Sequence, residues 1–276
     1  MYPKKQNPLL DSYSIEISAK DVGQFASAAS LLRPATEVAV TFLPGEEPAA
    51  RVSLAAAIRS AGHVPFPHVA ARRMASREAL NDYLGALVNA GARRLFVVAG
   101  DLTQPVGPYG DALAVIESDC LTQYPIERVG IAGYPQGHPD IPDHQLWRAL
   151  QLKQDALLSQ RIPFEIVTQF SFDSGAVLQW LKRLRNAGIH APVKVGIPGP
   201  ATVGSLLRYS ARCGVGLSTK VVAKYGLSIT RLLHVAGPDA LLEELHGELQ
   251  PAVHGDVRIH LYPFGGLQRT VQWAQG

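Results

Sequence analysis

The segments NAGARRLFVV (Asn89–Val98) and NAGIHAPVKV (Asn186–Val195) carry one local pattern twice: the end of a helix, a glycine, a short connection and an apolar strand. Glycine just past a helix adopts the left-handed conformation that ends it at the lowest steric cost. Upstream of the first segment, Leu80, Leu84, Leu87 and Val88 recur at helical spacing; upstream of the second, Val177, Leu181 and Leu184 do the same. Asp173 and Ser174 stand where that second helix needs an N-cap, and Gly62 ends a third helix. Helix followed by short apolar strand, repeated, is the pattern of a parallel sheet covered by helices.

Extended along the chain, the pattern predicts strands at Tyr13–Ile17, Glu37–Phe42, Val64–Val69, Arg94–Val98, Arg128–Ala132, Phe164–Thr168, Val193–Ile197 and Val257–Leu261. Eight strand–helix units close a barrel, whereas open doubly wound sheets usually stop short of that number. The expected fold is a single α/β domain over residues 1–276, a (β/α)8 TIM barrel, with residues 1–11 flexible. Val215–Gln250 is too long for one crossover helix and is interrupted at Gly226, Gly237 and Pro238, so an extra helix is expected between the seventh and eighth strands.

Composition narrows the function classes. With 47% hydrophobic and 18% charged residues, the chain can bury a large core. A net charge of +3, with no basic run interleaved with aromatics, argues against a nucleic-acid partner. Arg72, Arg73 and Arg77 read as a solvated loop and helix start, or else as the basic rim of a pocket. Cys120 and Cys213 stand far apart and outside any CxxC spacing, which points to a reducing, cytoplasmic setting. Lys4 and Lys5 precede no apolar signal region, and no run of about 18 apolar residues exists, so neither secretion nor a membrane partner is expected.

In a barrel of this class the strand C-termini and the loops after them form the working face. In order they present Glu16, Thr41, His68, Asp101, Tyr134, Gln169, Pro198 with Gly199, and Tyr262 with Phe264. Glu16, inside the apolar strand YSIEIS, would be costly to desolvate; burial alone would raise its pKa and suit it to general-acid work, unless it is a structural partner of a cation. Asp101 follows LFVVAG and opens a Pro/Gly-rich loop, where it can bind the edge of a heterocycle or start an Asx turn. His138, Asp140, Asp143 and His144 lie on a proline-stiffened stretch better suited to draping over a ligand than to holding a metal. GIPGPATVGS (Gly196–Ser205) and Gly265–Gly266 offer backbone N–H groups where many barrels hold phosphate. No GxGxxG after a strand, Walker A sequence or GxSxG elbow is present.

SIEIS (Ser14–Ser18), VAGD (Val98–Asp101), AGYPQGHP (Ala132–Pro139) and IVTQFSFD (Ile166–Asp173) occur in the order and approximate spacing of the bacterial methylenetetrahydrofolate reductases, which the chain resembles from Tyr13 to about Val215. The resemblance implies FAD at the C-terminal face, a 5,10-methylene- or 5-methyltetrahydrofolate substrate stacked on the flavin, and NADH or NADPH as electron partner. It implies that Glu16 is the catalytic acid that protonates the folate at N10. Asp101 would recognise the pterin and tune the flavin, Gln169 would bind the folate, and Thr41, His68, Ala132, Tyr134 and His138 would contact FAD. Members commonly form homo-oligomers.

The chain departs from the family in places. SAKD (Ser18–Asp21) replaces a double-proline phrase, Ala99 stands where an arginine is common, and Leu158 stands near the place of a second lysine that Lys153 or Arg161 would have to replace. YPFGGLQRT (Tyr262–Thr270) also differs, as in a divergent branch that would oxidise methyl-folate during demethylation. Two alternatives stand beside this reading: a flavin-independent reductase or non-catalytic folate-binding subunit, and a lyase or aldolase on a phosphorylated substrate using Lys194 and the glycine loops.

Overall fold

The computed structural model of the chain describes residues 7–216 and 232–276. The expectations attached to Lys4, Lys5 and Gly226 lie outside those residues. The barrel strands are β1 (Tyr13–Ile17), β2 (Glu37–Val40), β3 (Val64–Ala70), β4 (Arg94–Val98), β5 (Arg128–Gly133), β6 (Phe164–Phe170), β7 (Val193–Pro198) and β10 (Val257–Tyr262). They form a closed barrel in which β10 pairs in parallel with both β7 and β1. All eight expected strands are present, two with the expected bounds and six with end shifts of one or two residues.

The helices are α1 (Val22–Ala28), α2 (Pro48–Ser60), α3 (Arg77–Asn89), α4 (Ala112–Ile116), α5 (Asp143–Ser159), α6 (Ser174–Asn186), α7 (Val203–Cys213), α8 (Asp239–Glu248), α9 (Pro251–His254) and α10 (Leu267–Gln275). Asp173 caps α6 by accepting from the Ala176 N–H. Between β7 and β10 the chain carries α7, α8 and α9 together with a two-residue antiparallel pair, β8 (Ala201–Thr202) and β9 (Val235–Ala236), so this connection holds more than one helix, as its length requires. Against the expectation of a loose start through residue 11, Pro8–Leu10 form a 3-10 turn capped by Asn7, and Leu10 is buried against the core. Among the described residues no helix is long and apolar enough to cross a membrane.

Strand alternation divides the buried side chains into two compartments. Tyr13, Ile15 and Ile17 of β1, like their counterparts elsewhere, face the helices and join one large apolar cluster. The opposite faces fill the barrel, where Ala39, Phe66, Phe96 and Val167, backed by Val98 and Ala132, make a separate plug. Phe66 and Phe96 stack at 5.6 Å, and Gly130 opposes them because a Cβ there would lie 2.4 Å from the Phe66 ring.

Beneath the plug, at the N-terminal ends of the strands, lies a charged layer. Lys194 is clamped between Glu37 and Glu165, whose outer oxygens accept from Arg94 and Arg128. Such a layer holds together only because each buried ion has a partner.

Candidate active site

The mouth formed by the C-terminal strand ends is centred on Glu16. Residue 16 is an inward position of β1, one alternation above Ser14, and its carboxylate lies between two imidazoles: His68 Nε2 of β3 at 3.3 Å and His260 Nε2 of β10 at 3.8 Å. Burial pushes the carboxyl up, but the two imidazoles, His260 and His68, favour the anion, outweigh it and hold it at about 2. The expectation of a raised carboxyl is therefore corrected, since it counted desolvation and could not count two histidines from distant strands. Near neutral pH Glu16 is therefore held as an anion.

His68 is set by neighbours on both sides: its ring meets Phe96 edge-on at 4.7 Å, and its backbone carbonyl accepts from the Tyr83 hydroxyl. Thr41 follows β2, its N–H bound to the Ile17 carbonyl, so that it extends the rim beside β1. Ala132 borders the apolar plug and contributes only a small floor. Tyr134 and His138 meet edge to face at 5.3 Å, and burial pushes the tyrosine hydroxyl up. His138 Nδ1 accepts from the Asp140 N–H, which leaves Nε2 to carry the proton of the neutral ring as a donor. Asp143, by contrast, pairs with Arg183 at 2.7 Å and accepts from the Trp147 indole. Among the described residues no group of three or more His, Cys, Asp or Glu side chains could hold a metal.

Asp101 lies at the edge of the mouth, apart from the Glu16 cluster. Its partner is Arg73, from the 3-10 turn after β3, which grips both carboxylate oxygens at 3.0 and 2.9 Å. This hydrogen bonding holds the Asp101 carboxyl below the usual range. Arg73 in turn lies 4.4 Å over the Phe42 ring, which also takes Arg51 at 4.5 Å. Of the basic cluster, Arg72 is a loop brace, donating to the carbonyls of Gly110 and Leu102, while Arg73 is the cation at the rim.

Gln169 sits where the β6–β7 register shifts, between Val167 and Phe170. The irregularity re-aims consecutive side chains. Thr168 is turned to accept from the Gly196 N–H, and Gln169 curls back so that its Oε1 accepts from the Phe170 N–H. The far wall is aromatic: Phe170 contacts Phe172, Tyr262 and Phe264, and Tyr209 of α7 stacks on Phe264 at 4.1 Å. The sequence pointed to Tyr262 and Phe264, and to Arg73 as one of three arginines that could rim a pocket, but not to His260 or Tyr209. His260 carried a readable signal, being a polar residue at an inward position of the last strand.

Several sequence alternatives fail on geometry. The Gly199 N–H donates to the Tyr262 carbonyl and the Gly266 N–H to Pro263, while the first N–H groups of α7 are taken by His234, Leu232 and Thr202. A Cβ at Gly265 would lie 2.1 Å from the Pro200 carbonyl, so these glycines let two loops pack rather than cradle a phosphate. Lys194 points to the opposite end of the barrel, locked by two carboxylates, and is not placed for Schiff-base chemistry at the mouth.

Leu158 and Arg161 line a groove with Pro163, Phe164 and Gly188, at the N-terminal end of the barrel, because α5 runs antiparallel to the strands. Lys153 lies in the buried stripe of α5 with Leu146, Leu150 and Leu157, and burial lowers it to about 8. Of the two cations expected to replace the missing lysine, Arg161 lies away from the mouth and Lys153 is buried in the helix stripe, whereas Arg73 stands at the rim.

Residues 19–231 match the methylenetetrahydrofolate reductase family. Methylenetetrahydrofolate reductase 2 of Saccharomyces cerevisiae is 31% identical over 83 residues, 29% of this chain and 13% of that protein, so the match spans a small part of the relative. Among solved structures, a Clostridium thermocellum protein that binds two copies of 5-methyl-5,6,7,8-tetrahydrofolic acid superposes with a TM-score of 0.65 at 9% identity, covering 96% of this chain and 94% of that one. At that identity the likeness shows a shared fold.

Proposed function

This chain belongs to the methylenetetrahydrofolate reductase family, and from that premise we propose that it is a flavin-dependent oxidoreductase interconverting 5,10-methylenetetrahydrofolate and 5-methyltetrahydrofolate by hydride transfer with FAD. The observation that carries the reading is a carboxylate set between two imidazoles at the barrel mouth, facing an aromatic wall. Hydride exchange between stacked rings needs positioning and one proton-handling group, and little else from the protein. The methyl-folate ligands of the structurally similar Clostridium thermocellum protein support the substrate class.

The residues present fit FAD. Thr41, His68, Tyr134 and His138 supply hydrogen-bonding groups around a floor of small residues, Ala70, Ala99, Gly100 and Ala132, and Arg73 supplies the cation for a diphosphate. When bound, FAD supplies the hydride donor or acceptor. Gln169 and the Phe170–Tyr262–Phe264 wall hold the folate, with Asp101 at the pterin edge. Glu16 moves the proton at N10. As a resting anion it accepts that proton at once when methyl-folate is oxidised, the direction demethylation requires; for reduction it must first be loaded. NADH or NADPH would be the electron partner.

The reading is tested by anaerobic mixing of FAD-supplemented protein with 5-methyltetrahydrofolate, following the oxidised-flavin absorbance at about 450 nm. Bleaching is expected. Flavin retained without bleaching would point to a folate-binding subunit; no flavin retained, with methylene-folate still reduced, would point to a flavin-independent reductase. Arg73→Ala is expected to weaken FAD binding by about 10- to 100-fold, because a charge-assisted hydrogen bond contributes about 1.5–3 kcal/mol. Fluorescence titration of the flavin checks this, and an unchanged affinity would remove Arg73 from the cofactor site.

A further inference from the structure

Arg51 breaks the local rules of the helix that carries it. It stands in the first turn of α2, where the helix dipole disfavours a cation, and only 1% of its surface is exposed. Among the described residues its partners include no carboxylate. Nη1 donates to the Glu46 carbonyl at 3.2 Å and Nε to the Tyr83 hydroxyl at 3.1 Å, while the guanidinium lies over the rings of Phe42 at 4.5 Å and Tyr83 at 5.5 Å. The Glu46 carboxylate accepts instead from the Leu43 N–H. A buried cation held by neutral groups is costly, and an apolar side chain of similar length would fill the same space. Packing alone therefore gives no reason for an arginine at this position.

Its contacts lead in two directions. One arm runs through Tyr83 of α3, whose hydroxyl burial pushes up, so that it stays protonated and donates to the His68 carbonyl at 3.2 Å. His68 in turn places its Nε2 3.3 Å from Glu16. The other arm runs through Phe42, whose ring also takes Arg73 at 4.4 Å, and Arg73 grips both oxygens of Asp101. Glu16 at the centre of the mouth and Arg73 at its rim are thus joined through one side chain by direct contacts. A guanidinium suits that place because its planar fork donates in fixed directions while its face stacks on a ring.

We propose that Arg51 is a positioning residue that sets His68 against Glu16 through Tyr83 and sets Arg73 at the rim through Phe42. The inference rests on the reading of the mouth given above, with Glu16 handling the proton and Arg73 facing the diphosphate of FAD. Arg51 touches neither ligand and no bond changes at it. Its effect comes from geometry, since a displacement of about 1 Å at a reacting group costs on the order of 100-fold in rate.

The test separates the two arms. Arg51→Met keeps the length of the side chain and removes its charge and donors; Tyr83→Phe removes one hydroxyl and cuts the His68 arm alone. FAD affinity is measured by fluorescence titration, and kcat for methylene-folate reduction at saturating FAD. Arg51→Met is expected to lower kcat about 10- to 100-fold. It is expected to weaken FAD binding about 3- to 10-fold through the lost cation–ring contact, with a nearly unchanged melting temperature because an apolar side chain replaces a buried ion. Tyr83→Phe is expected to lower kcat at unchanged FAD affinity, and the double variant to lower kcat no further than Arg51→Met.

Wild-type kcat and FAD affinity in Arg51→Met would overturn the proposal. Losses in kcat that add in the double variant would overturn it too, by making the two residues independent. So would a loss confined to the folded fraction, with kcat per bound flavin unchanged, which marks a packing role. A wild-type protein that neither holds FAD nor turns over methylene-folate would instead defeat the reading of the mouth, and the inference with it.

Discussion

Replacing Glu16 by Gln is expected to lower turnover of methylene-folate by at least ~100-fold, the lower end for removing a general acid, while the barrel stays folded. Glutamine has nearly the same shape, and its carbonyl can still accept from His68 or His260, so the mouth keeps its packing. What is lost is the proton. The charge also leaves a signature in stability. The native Glu16 pKa is about 2 against an ordinary value of 4.5, so in that window the unfolded chain binds more protons. The contribution of Glu16 is therefore present above pH 4.5 and lost as pH falls toward 2, and stability rises with pH across the interval. Glu16→Gln should lack this dependence, giving a flatter acid limb in denaturant titrations. Turnover within a few-fold of wild type, measured beside an unchanged circular dichroism spectrum, would take Glu16 out of the chemistry.

The second large effect lies at the other end of the barrel. Lys194→Ala is expected to destabilise the protein by about 3–5 kcal/mol, because it removes the cation shared by two buried carboxylates and leaves each with a single arginine at its outer oxygen. Glu37 shows why. Burial pushes its carboxyl up, and Lys194 followed by Arg94 brings it below the ordinary value. Without Lys194 that balance reverses toward a raised carboxyl, whose stabilising contribution is present below the unfolded pKa and lost as pH rises. The deficit should therefore be largest near neutrality and shrink as pH is lowered toward about 4–5. Urea unfolding at two pH values measures it; a deficit under ~1 kcal/mol, or one that grows in acid, would mean the layer is not held as an ion network.

The two residues mark the ends of one barrel, the mouth proposed for the chemistry and an ion-paired base, and the sequence distinguished them unequally. Glu16 and Lys194 are each a charged residue inside an apolar strand. The strand direction, not the residue type, decides that Glu16 reaches the C-terminal mouth while Lys194, second in β7, lies at the base.

The sequence by itself determined the eight strands, the caps and the ring of strand-end residues, because alternation, helical spacing and glycine stops act over a few neighbouring positions. The tertiary structure alone decided the charge state of Glu16, because its sign depends on imidazoles from β3 and β10, and the Ser14–His260 contact joins residues 246 positions apart. It also decided that Arg73 pairs with Asp101, that a register shift turns Gln169, and that Leu158 and Arg161 lie at the end of the barrel away from the mouth. Local patterns specify which face a side chain takes. Barrel closure brings distant strands together, and only that closure sets which charges meet and what their meeting does to a proton.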